Sequence, residues 1–368
     1  MNIFIINLCL IALEGFWFLS NKNIDKGEKK FCILASLQWI LISGLRGLSV
    51  GADTKSYYDN FKRIKTYSWD YVLDFAQNRI IVDSDAKAPG YTLLVKLFQV
   101  FSDNYQVFLI FVAILFFSWM GYSIYKNSEN PVLSYILFSC LFYSFFAITG
   151  IRQTIATSFV VFLGIELIKK RKLIAFIICI LLMYPIHSSA ICFLPFYWIA
   201  NIKITGKRIG IYWTLVAMTY IFRERFMAAL QFLVGYENYV QTEGAGIGTF
   251  IYLLMLIAAV VTIFYKRIVK EENDVDEIAV SNKGQKDIPI NRLAVNALFM
   301  SCIFSSLLLI NQNTMRVVQY YSLGLLYLLP QIANVFKVES KAVFNVIVFT
   351  VAIALVIYSG YTYVFFWQ

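Results

Sequence analysis

The sequence predicts an all-α polytopic membrane protein. Of its 368 residues, 60% are apolar and 15% are charged, whereas soluble domains are about half apolar and about a quarter charged. The mean hydropathy is +0.67. Apolar runs close to the length of about 20 residues that a helix needs to cross a bilayer recur along the chain. A membrane β-barrel would instead show alternating segments of about 10 residues.

Basic loops predict the topology. Lysine and arginine cluster at residues 22–30, 169–172, 203–208, 265–286 and 337–341, which the positive-inside rule assigns to the cytoplasm. Alternation across the membrane then gives about twelve spans, with both ends of the chain outside. The expected spans are residues 2–20, 31–47, 105–125, 131–149, 151–168, 173–186, 187–202, 209–222, 248–265, 290–310, 316–334 and 342–364.

The segment 89–102, "PGYTLLVKLFQVFS", does not fit as a thirteenth span, because it is short, contains Lys96 and would place the basic loop 169–172 outside. We expect a re-entrant or interfacial helix there. The chain is therefore predicted to form a single integral membrane domain, 1–368. Its larger loops are external at 47–104 and 223–247 and cytoplasmic at 266–289.

Other classes of protein are disfavoured. The six cysteines lie in apolar runs without a CxxC pair, so neither a disulfide framework nor a metal site is expected. The net charge of +10 is carried by loops, which explains it without nucleic acid. The sequence contains no P-loop, HExxH or GxSxG motif, and we predict no cofactor. The only D-x-D pattern, "DSD" at 83–85, falls in the expected external loop.

Charged and aromatic residues gather at the predicted external boundary. Arg46 ends the second span, Arg152 opens the fifth, His187 opens the seventh and Arg316 opens the eleventh. Guanidinium groups bind phosphate oxygens bidentately, and a histidine or carboxylate can take a proton from a sugar hydroxyl. The pattern predicts a site for a lipid-linked phosphate or diphosphate. Further candidates on this side are Asp53 as a catalytic group and Thr54, Tyr57, Tyr91, Tyr320, Tyr236 and Glu237 as sugar-binding or supporting residues.

Each candidate also has a structural explanation. Arginines at helix ends can anchor in lipid headgroups, and tyrosines near the interface can form an aromatic belt. Asp53 can cap the following helix, and His187 can bond to backbone near a helix start. The coincidence of all these residues on one side favours the functional interpretation.

Five short motifs, in this order, resemble the EpsG/Wzy type of bacterial polysaccharide polymerase. They are "LRGLSVGADTKSYYDNF", "PGYTLLVKLF", "GIRQTIATSF", "YPIHSSAI" and "NTMRVVQYY", and they extend from about residue 44 to 322. The resemblance implies a fold related to the GT-C glycosyltransferases. It also implies location in the bacterial inner membrane, with the active site facing the periplasm or the cell exterior. The matching positions are Arg46, Gly51, Asp53, Thr54, Tyr57, Arg152, His187, Arg316 and Tyr320.

The resemblance implies metal-independent transfer of a growing chain from undecaprenyl diphosphate to a sugar hydroxyl of the incoming lipid-linked unit. We expect Arg152 and Arg316 to hold the donor diphosphate and Arg46 to assist or to hold the second one. Asp53 would orient a sugar hydroxyl or an arginine, and His187 would act as base or donate to phosphate. The implied partners are the lipid-linked donor and acceptor, with a chain-length regulator, a flippase and a ligase as further candidates.

One position departs from the family pattern. Two residues before the glycine of "PGYTLL" the pattern has an acidic residue, and this chain has Ala88. The acid is then lost by divergence or by engineering, unless Asp83 or Asp85 replaces it.

Two other functions remain open from the sequence. A ligase-like transferase, which moves a finished glycan to a lipid core, needs the same grip on the donor, but region 223–247 is small for its external domain. A flippase for lipid-linked oligosaccharides would need ionisable residues near the midplane of the bilayer and repeated broken helices. Only Glu14 and Glu166 fall within spans in that way.

Overall fold

The computed structural model describes residues 3–21, 24–78, 88–141, 143–234, 247–269, 287–335, 338–359 and 362–368. Every regular element in these ranges is a helix, and none of the residues described forms a strand. The structure therefore confirms the predicted all-α class.

The described ranges contain eighteen helices, numbered in chain order, with a helix that contains a π-helical turn counted once. They are α1 (Ile3–Ser20), α2 (Gly27–Gly44), α3 (Thr54–Lys65), α4 (Trp69–Asn78), α5 (Pro89–Phe98), α6 (Tyr105–Asn127), α7 (Pro131–Cys140), α8 (Tyr143–Thr149), α9 (Ile151–Lys169), α10 (Leu173–Met183), α11 (Phe196–Ile199), α12 (Gly206–Ile221), α13 (Arg223–Val234), α14 (Ile247–Ile268), α15 (Ile290–Ser305), α16 (Met315–Ser322), α17 (Leu325–Val335) and α18 (Val338–Ser359). Short 3₁₀ turns occur at Ser188–Phe193, Ser306–Leu309 and Gln312–Thr314.

Several helices are long enough to cross a membrane. Within the ranges described, five helices qualify by length and composition, and a sixth qualifies if α7 and α8, which are bent by 72°, form one span. Four further apolar helices have 10–17 residues. These helices support a multi-pass membrane protein, while the number of twelve spans stays a prediction.

Three predicted spans are interrupted. Residues 187–202 form a 3₁₀ turn followed by the short α11, and residues 316–334 divide into α16 and α17. Residues 131–149 divide into α7 and α8. Proline accounts for the first interruption, because Pro195 lies immediately before α11 and cannot donate to a continuous helix.

Aromatic packing fixes α2 against α6 and α7. The Trp39 ring stacks on Phe117 with centroids 5.8 Å apart, and it meets Phe138 edge-on at 5.2 Å. The Ser36 hydroxyl hydrogen-bonds the Tyr135 hydroxyl at 2.6 Å. Trp39, Phe117 and Phe138 are all fully buried. This packing fixes the end of α2, and with it the start of the motif "LRGLSVGADTKSYYDNF" that follows.

Helix α6 connects two ends of the helix bundle. Its 23 residues extend roughly 34 Å at about 1.5 Å per residue. At its start the Tyr105 hydroxyl donates to the Thr54 carbonyl at 3.1 Å. At its far end the Asn127 amide donates to Glu166 at 2.7 Å, and Lys169 lies 3.7 Å from the same carboxylate. We call these the arginine end, which carries Arg46, Arg152 and Arg316, and the lysine end, which carries Lys169.

Basic segments meet at the lysine end. The Arg171 guanidinium donates to the Asn201 side chain at 3.3 Å, and the Ile288 N–H donates to the Lys169 carbonyl at 2.9 Å. This grouping agrees with the prediction that these segments share one side. The same contacts account for Glu166, whose carboxylate is paired rather than isolated within a span.

Three short helices follow α2 at the arginine end. Helix α3 buries Phe61 and Ile64 and exposes Lys62 and Arg63, so it lies on the bundle with one apolar face. Helix α5 has 10 residues and is too short to span a bilayer. The predicted loops 223–247 and 266–289 fall partly outside the described residues.

Candidate active site

Two of the motifs meet at Gly90. Its N–H, in the first turn of α5, donates to the Pro185 carbonyl at 3.0 Å. A Cβ at Gly90 would lie 2.9 Å from both the carbonyl carbon and the Cβ of Pro185. The glycine therefore permits α5 to approach the segment that carries His187, two residues further on.

Arg152 lies beside two tyrosines. Its Nε donates to the Tyr57 hydroxyl at 3.3 Å, and its guanidinium carbon lies 5.9 Å from the Tyr57 ring centroid. The Tyr57 and Tyr91 rings pack edge to face with centroids 5.7 Å apart. Tyr91 is 1% exposed and interacts electrostatically with both Arg152 and Arg46. A wall of tyrosines thus links two of the predicted arginines.

Arg316 is held near Arg152 through a glutamine pair. The Gln153 side-chain amide donates to the Arg316 carbonyl at 3.2 Å and also to the Gln319 side chain. These bonds tie the start of α9 to the start of α16. Gln153 is part of the quoted motif "GIRQ", but nothing in its residue type singled it out.

His187 faces both arginines of this pair. It lies between α10 and the 3₁₀ turn, outside the candidate membrane-spanning helices, and is 5% exposed. Burial, followed by the charges of Arg316 and Arg152, lowers the pKa of His187 well below its usual value. The ring is therefore neutral at pH 7, and its Nε2 is buried without a hydrogen-bond partner among the described residues.

Arg46 lies two residues after the end of α2 and is 2% exposed. Its Nη1 donates to the carbonyl and the hydroxyl of Ser43. Its Nε has no partner, and the same is true of the Tyr91 hydroxyl and Thr149 Oγ1, counting described residues. Arg46 forms no ion pair with an acidic side chain in the described part of the chain. The Nε–H of Arg46 is thus available to donate to an anionic oxygen.

The turn before α3 shows how Asp53 and Thr54 differ. Gly51 has φ +88°, a left-handed conformation that glycine adopts without strain. Thr54 is fully buried, and its hydroxyl donates to the Val50 carbonyl at 2.6 Å, so it supports the turn. Asp53 is exposed at the N-cap position and makes no side-chain capping bond. The structure therefore leaves the Asp53 carboxylate exposed at the start of α3, and its role as a catalytic group stays a prediction.

The remaining candidates have different positions. Tyr320 is 1% exposed and its hydroxyl accepts from Ser189 at 3.2 Å, which joins α16 to the 3₁₀ turn. Ala88 precedes α5 with φ +65°, a region that non-glycine residues rarely adopt. Tyr236, Glu237, Asp83 and Asp85 lie outside the described residues.

Comparisons with known proteins give one match. The family model described as EpsG family matches residues 29–367, a range wider than the motifs span. No curated protein matches, and no solved structure matches.

Proposed function

We propose that this chain, which belongs to the EpsG family of Wzy-like polysaccharide polymerases, joins oligosaccharide repeat units carried on undecaprenyl diphosphate. The observation that carries the proposal is that the hydrogen bonds of Gln153 hold the start of α16, with Arg316, beside the start of α9, with Arg152, and that the charges of both arginines act on the buried His187. Two guanidinium groups suit a diphosphate, which presents several anionic oxygens.

The reaction is a glycosyl transfer. A hydroxyl oxygen of the acceptor sugar forms a bond to the anomeric carbon of the donor chain, and the bond from that carbon to the phosphate oxygen breaks. The electron pair leaves with undecaprenyl diphosphate, whose growing negative charge Arg152 and Arg316 stabilise. The hydroxyl proton passes to Nε2 of His187. In this proposal the arginines take the part that a divalent metal plays in other transferases.

Arg46 holds the acceptor lipid. Its separate place beyond Tyr91 supports a second anion position, because two lipid diphosphates must approach together and repel each other. Tyr91 lies near both Arg46 and Arg152, and Tyr57, which packs on Tyr91 and is only half-buried, would contact the sugar ring. The arginine end faces the outer side of the bacterial inner membrane in this scheme.

The test uses cells that lack the gene and carry its repeat-unit pathway, with glycan length measured on gels. We expect Arg152→Ala and Arg316→Ala each to abolish the ladder of polymer lengths. Arg208→Ala is the matched control, because Arg208 is exposed and bonds to Lys203 away from the arginine end. Each substitution is made both in this chain and in its Ala88→Glu form, which restores the acidic residue of the family pattern. If polymerisation requires that acid, the Ala88→Glu form still provides a ladder against which the arginine variants are compared.

Four results would contradict the proposal. A ladder that survives both arginine substitutions excludes the diphosphate grip. A complete polymer that is no longer joined to its final lipid indicates the ligase reaction. Glycan that is intact in the deletion strain would mean that the protein is not needed to make the polymer. Repeat units retained on the inner face of the membrane would indicate that the protein transports them rather than polymerises them.

A further inference from the structure

The segment 362–368, "TYVFFWQ", pairs with the backbone that carries Arg46; we call it the aromatic segment. An antiparallel bridge joins Arg46 to Phe365. The Phe366 N–H donates to the Leu45 carbonyl at 3.0 Å. These contacts attach a distant part of the chain to the end of α2, which lies more than 300 positions earlier.

Two further contacts close the same junction. The Gly47 N–H donates to the Val364 carbonyl at 2.8 Å, and the Tyr363 hydroxyl donates to the Ile42 carbonyl at 2.7 Å. A Cβ at Gly47 would lie 3.2 Å from the Val364 oxygen and 3.3 Å from the Phe365 oxygen. The absence of a side chain at Gly47 allows the two backbones to come this close.

The junction fixes a buried cation that lacks a counter-charge among the described residues. The backbone of Arg46 is held by the aromatic segment, and Nη1 is held by Ser43. The Nε–H donor is buried and has no described partner. Burying a charged guanidinium destabilises the protein unless an anion pairs with it. The buried Nε–H of Arg46 is therefore positioned to donate to an anionic oxygen of a ligand.

We propose that the aromatic segment is a positioning element of the substrate site, which holds Arg46 against a diphosphate of a lipid-linked substrate. The inference rests on the proposed function, because that function supplies the diphosphate. The segment acts through Arg46 and does not itself contact the reacting atoms. Loss of the junction therefore weakens diphosphate binding by the same route as loss of the guanidinium.

The test is a double-mutant cycle on the full chain, with binding of undecaprenyl diphosphate measured by native mass spectrometry. Phe366→Pro removes the N–H that bonds Leu45, whereas Phe366→Ala keeps that N–H and removes the same ring, which is 49% exposed. We expect Arg46→Ala and Phe366→Pro each to weaken binding about tenfold, the scale of one hydrogen bond to a charged group. Phe366→Ala should bind like the unmodified chain.

The combinations decide the mechanism. The double variant Arg46→Ala/Phe366→Pro should bind no more weakly than Arg46→Ala, because both changes remove one interaction. In an Arg152→Ala background, which weakens the other diphosphate position, Phe366→Pro should weaken binding at the Arg46 position by the same factor as it does in the unmodified chain. If the Arg46 and Phe366 losses multiply instead, or if Phe366→Pro binds normally, the inference is wrong.

A second variant covers a failure to fold. Gly47→Ala perturbs the same junction from the segment that carries Arg46. It replaces Phe366→Pro in the same cycle, and the same results are expected. Failure of the proposed function gives a different result: the unmodified chain does not bind the lipid, or Arg46→Ala and Arg152→Ala both bind like it. In that case the inference fails together with its premise.

Discussion

At the residue scale, the charge state of His187 decides what it can do. Its burial beside Arg152 and Arg316 lowers its pKa, so the free protein presents a neutral ring. A bound diphosphate offsets the positive charge of the two arginines and thereby makes protonation of the ring easier. If His187 is the base, as proposed, it would therefore accept a proton more readily once the donor diphosphate is bound.

We predict that His187→Gln lowers the rate of polymerisation by a factor on the order of 10² to 10⁴, the usual contribution of a general base. Glutamine keeps a hydrogen-bond donor for phosphate but cannot take a proton. The rate is measured as polymer formed per unit of purified protein in lipid vesicles. A glutamine variant with nearly full activity would assign His187 to phosphate binding instead of proton transfer.

The same pKa shift predicts an effect on stability. The unfolded chain protonates His187 near its ordinary pKa of 6.5, while the folded chain resists protonation. Because the unfolded state then binds more protons, the contribution of His187 to stability falls as the pH drops below 6.5. Thermal unfolding between pH 7 and pH 5 should therefore depend less on pH in His187→Gln. An equally steep decrease in both proteins would contradict a neutral, buried ring.

At the scale of the element, long apolar runs allowed accurate predictions. The span expected at 105–125 is the helix Tyr105–Asn127, and the span expected at 151–168 is Ile151–Lys169. Apolar composition alone is enough to predict helices of this length. The start of Tyr105–Asn127 is fixed by a polar residue, because the Asn104 side chain accepts a hydrogen bond from the Gln106 N–H at 2.8 Å. The side of the bundle on which each motif lies follows from the same boundaries.

Contacts between distant elements could not be predicted in this way. The approach of α5 to Pro185 depends on space at Gly90, and the link from Gln153 to Gln319 depends on two helix starts lying side by side. The bridge from Arg46 to Phe365 has no local signal either. A sequence pattern reports the neighbours along one helix, whereas these contacts arise from the packing of several.

We predict that Gly90→Ala destabilises the protein and reduces polymerisation, because the new methyl would lie 2.9 Å from backbone and ring atoms of Pro185. The matched control is Gly210→Ala, where no atom lies within 4 Å of the added Cβ. In the interior of a helix that change should stabilise by roughly 0.5–1 kcal/mol. Melting temperature and polymer length are measured for both. Equal behaviour of the two variants would mean that α5 does not depend on this contact.

At the scale of the whole molecule, the two ends of the bundle have different chemistry. The arginine end gathers Arg46, Arg152 and Arg316 with buried tyrosines, whereas the lysine end gathers basic segments around Glu166 and Asn127. Helix α6 runs from one to the other over a distance close to the thickness of a bilayer. A lipid-linked diphosphate would thus meet the arginines at headgroup depth, with its chain along the apolar helices.

This arrangement predicts that the two ends are accessible from opposite sides of the membrane. Lys55 on α3 and Lys207 on α12 are both exposed, and each is replaced by cysteine in a chain that carries Cys9→Ser, because Cys9 is the exposed native thiol. A membrane-impermeant maleimide should label Lys55→Cys in intact spheroplasts and Lys207→Cys only after permeabilisation. If both cysteines were labelled from outside, an even number of spans would separate them instead of the odd number predicted. The lysine end would then lie on the same side of the membrane as the proposed site. The positive-inside assignment of the basic loops, on which the external site depends, would then be wrong.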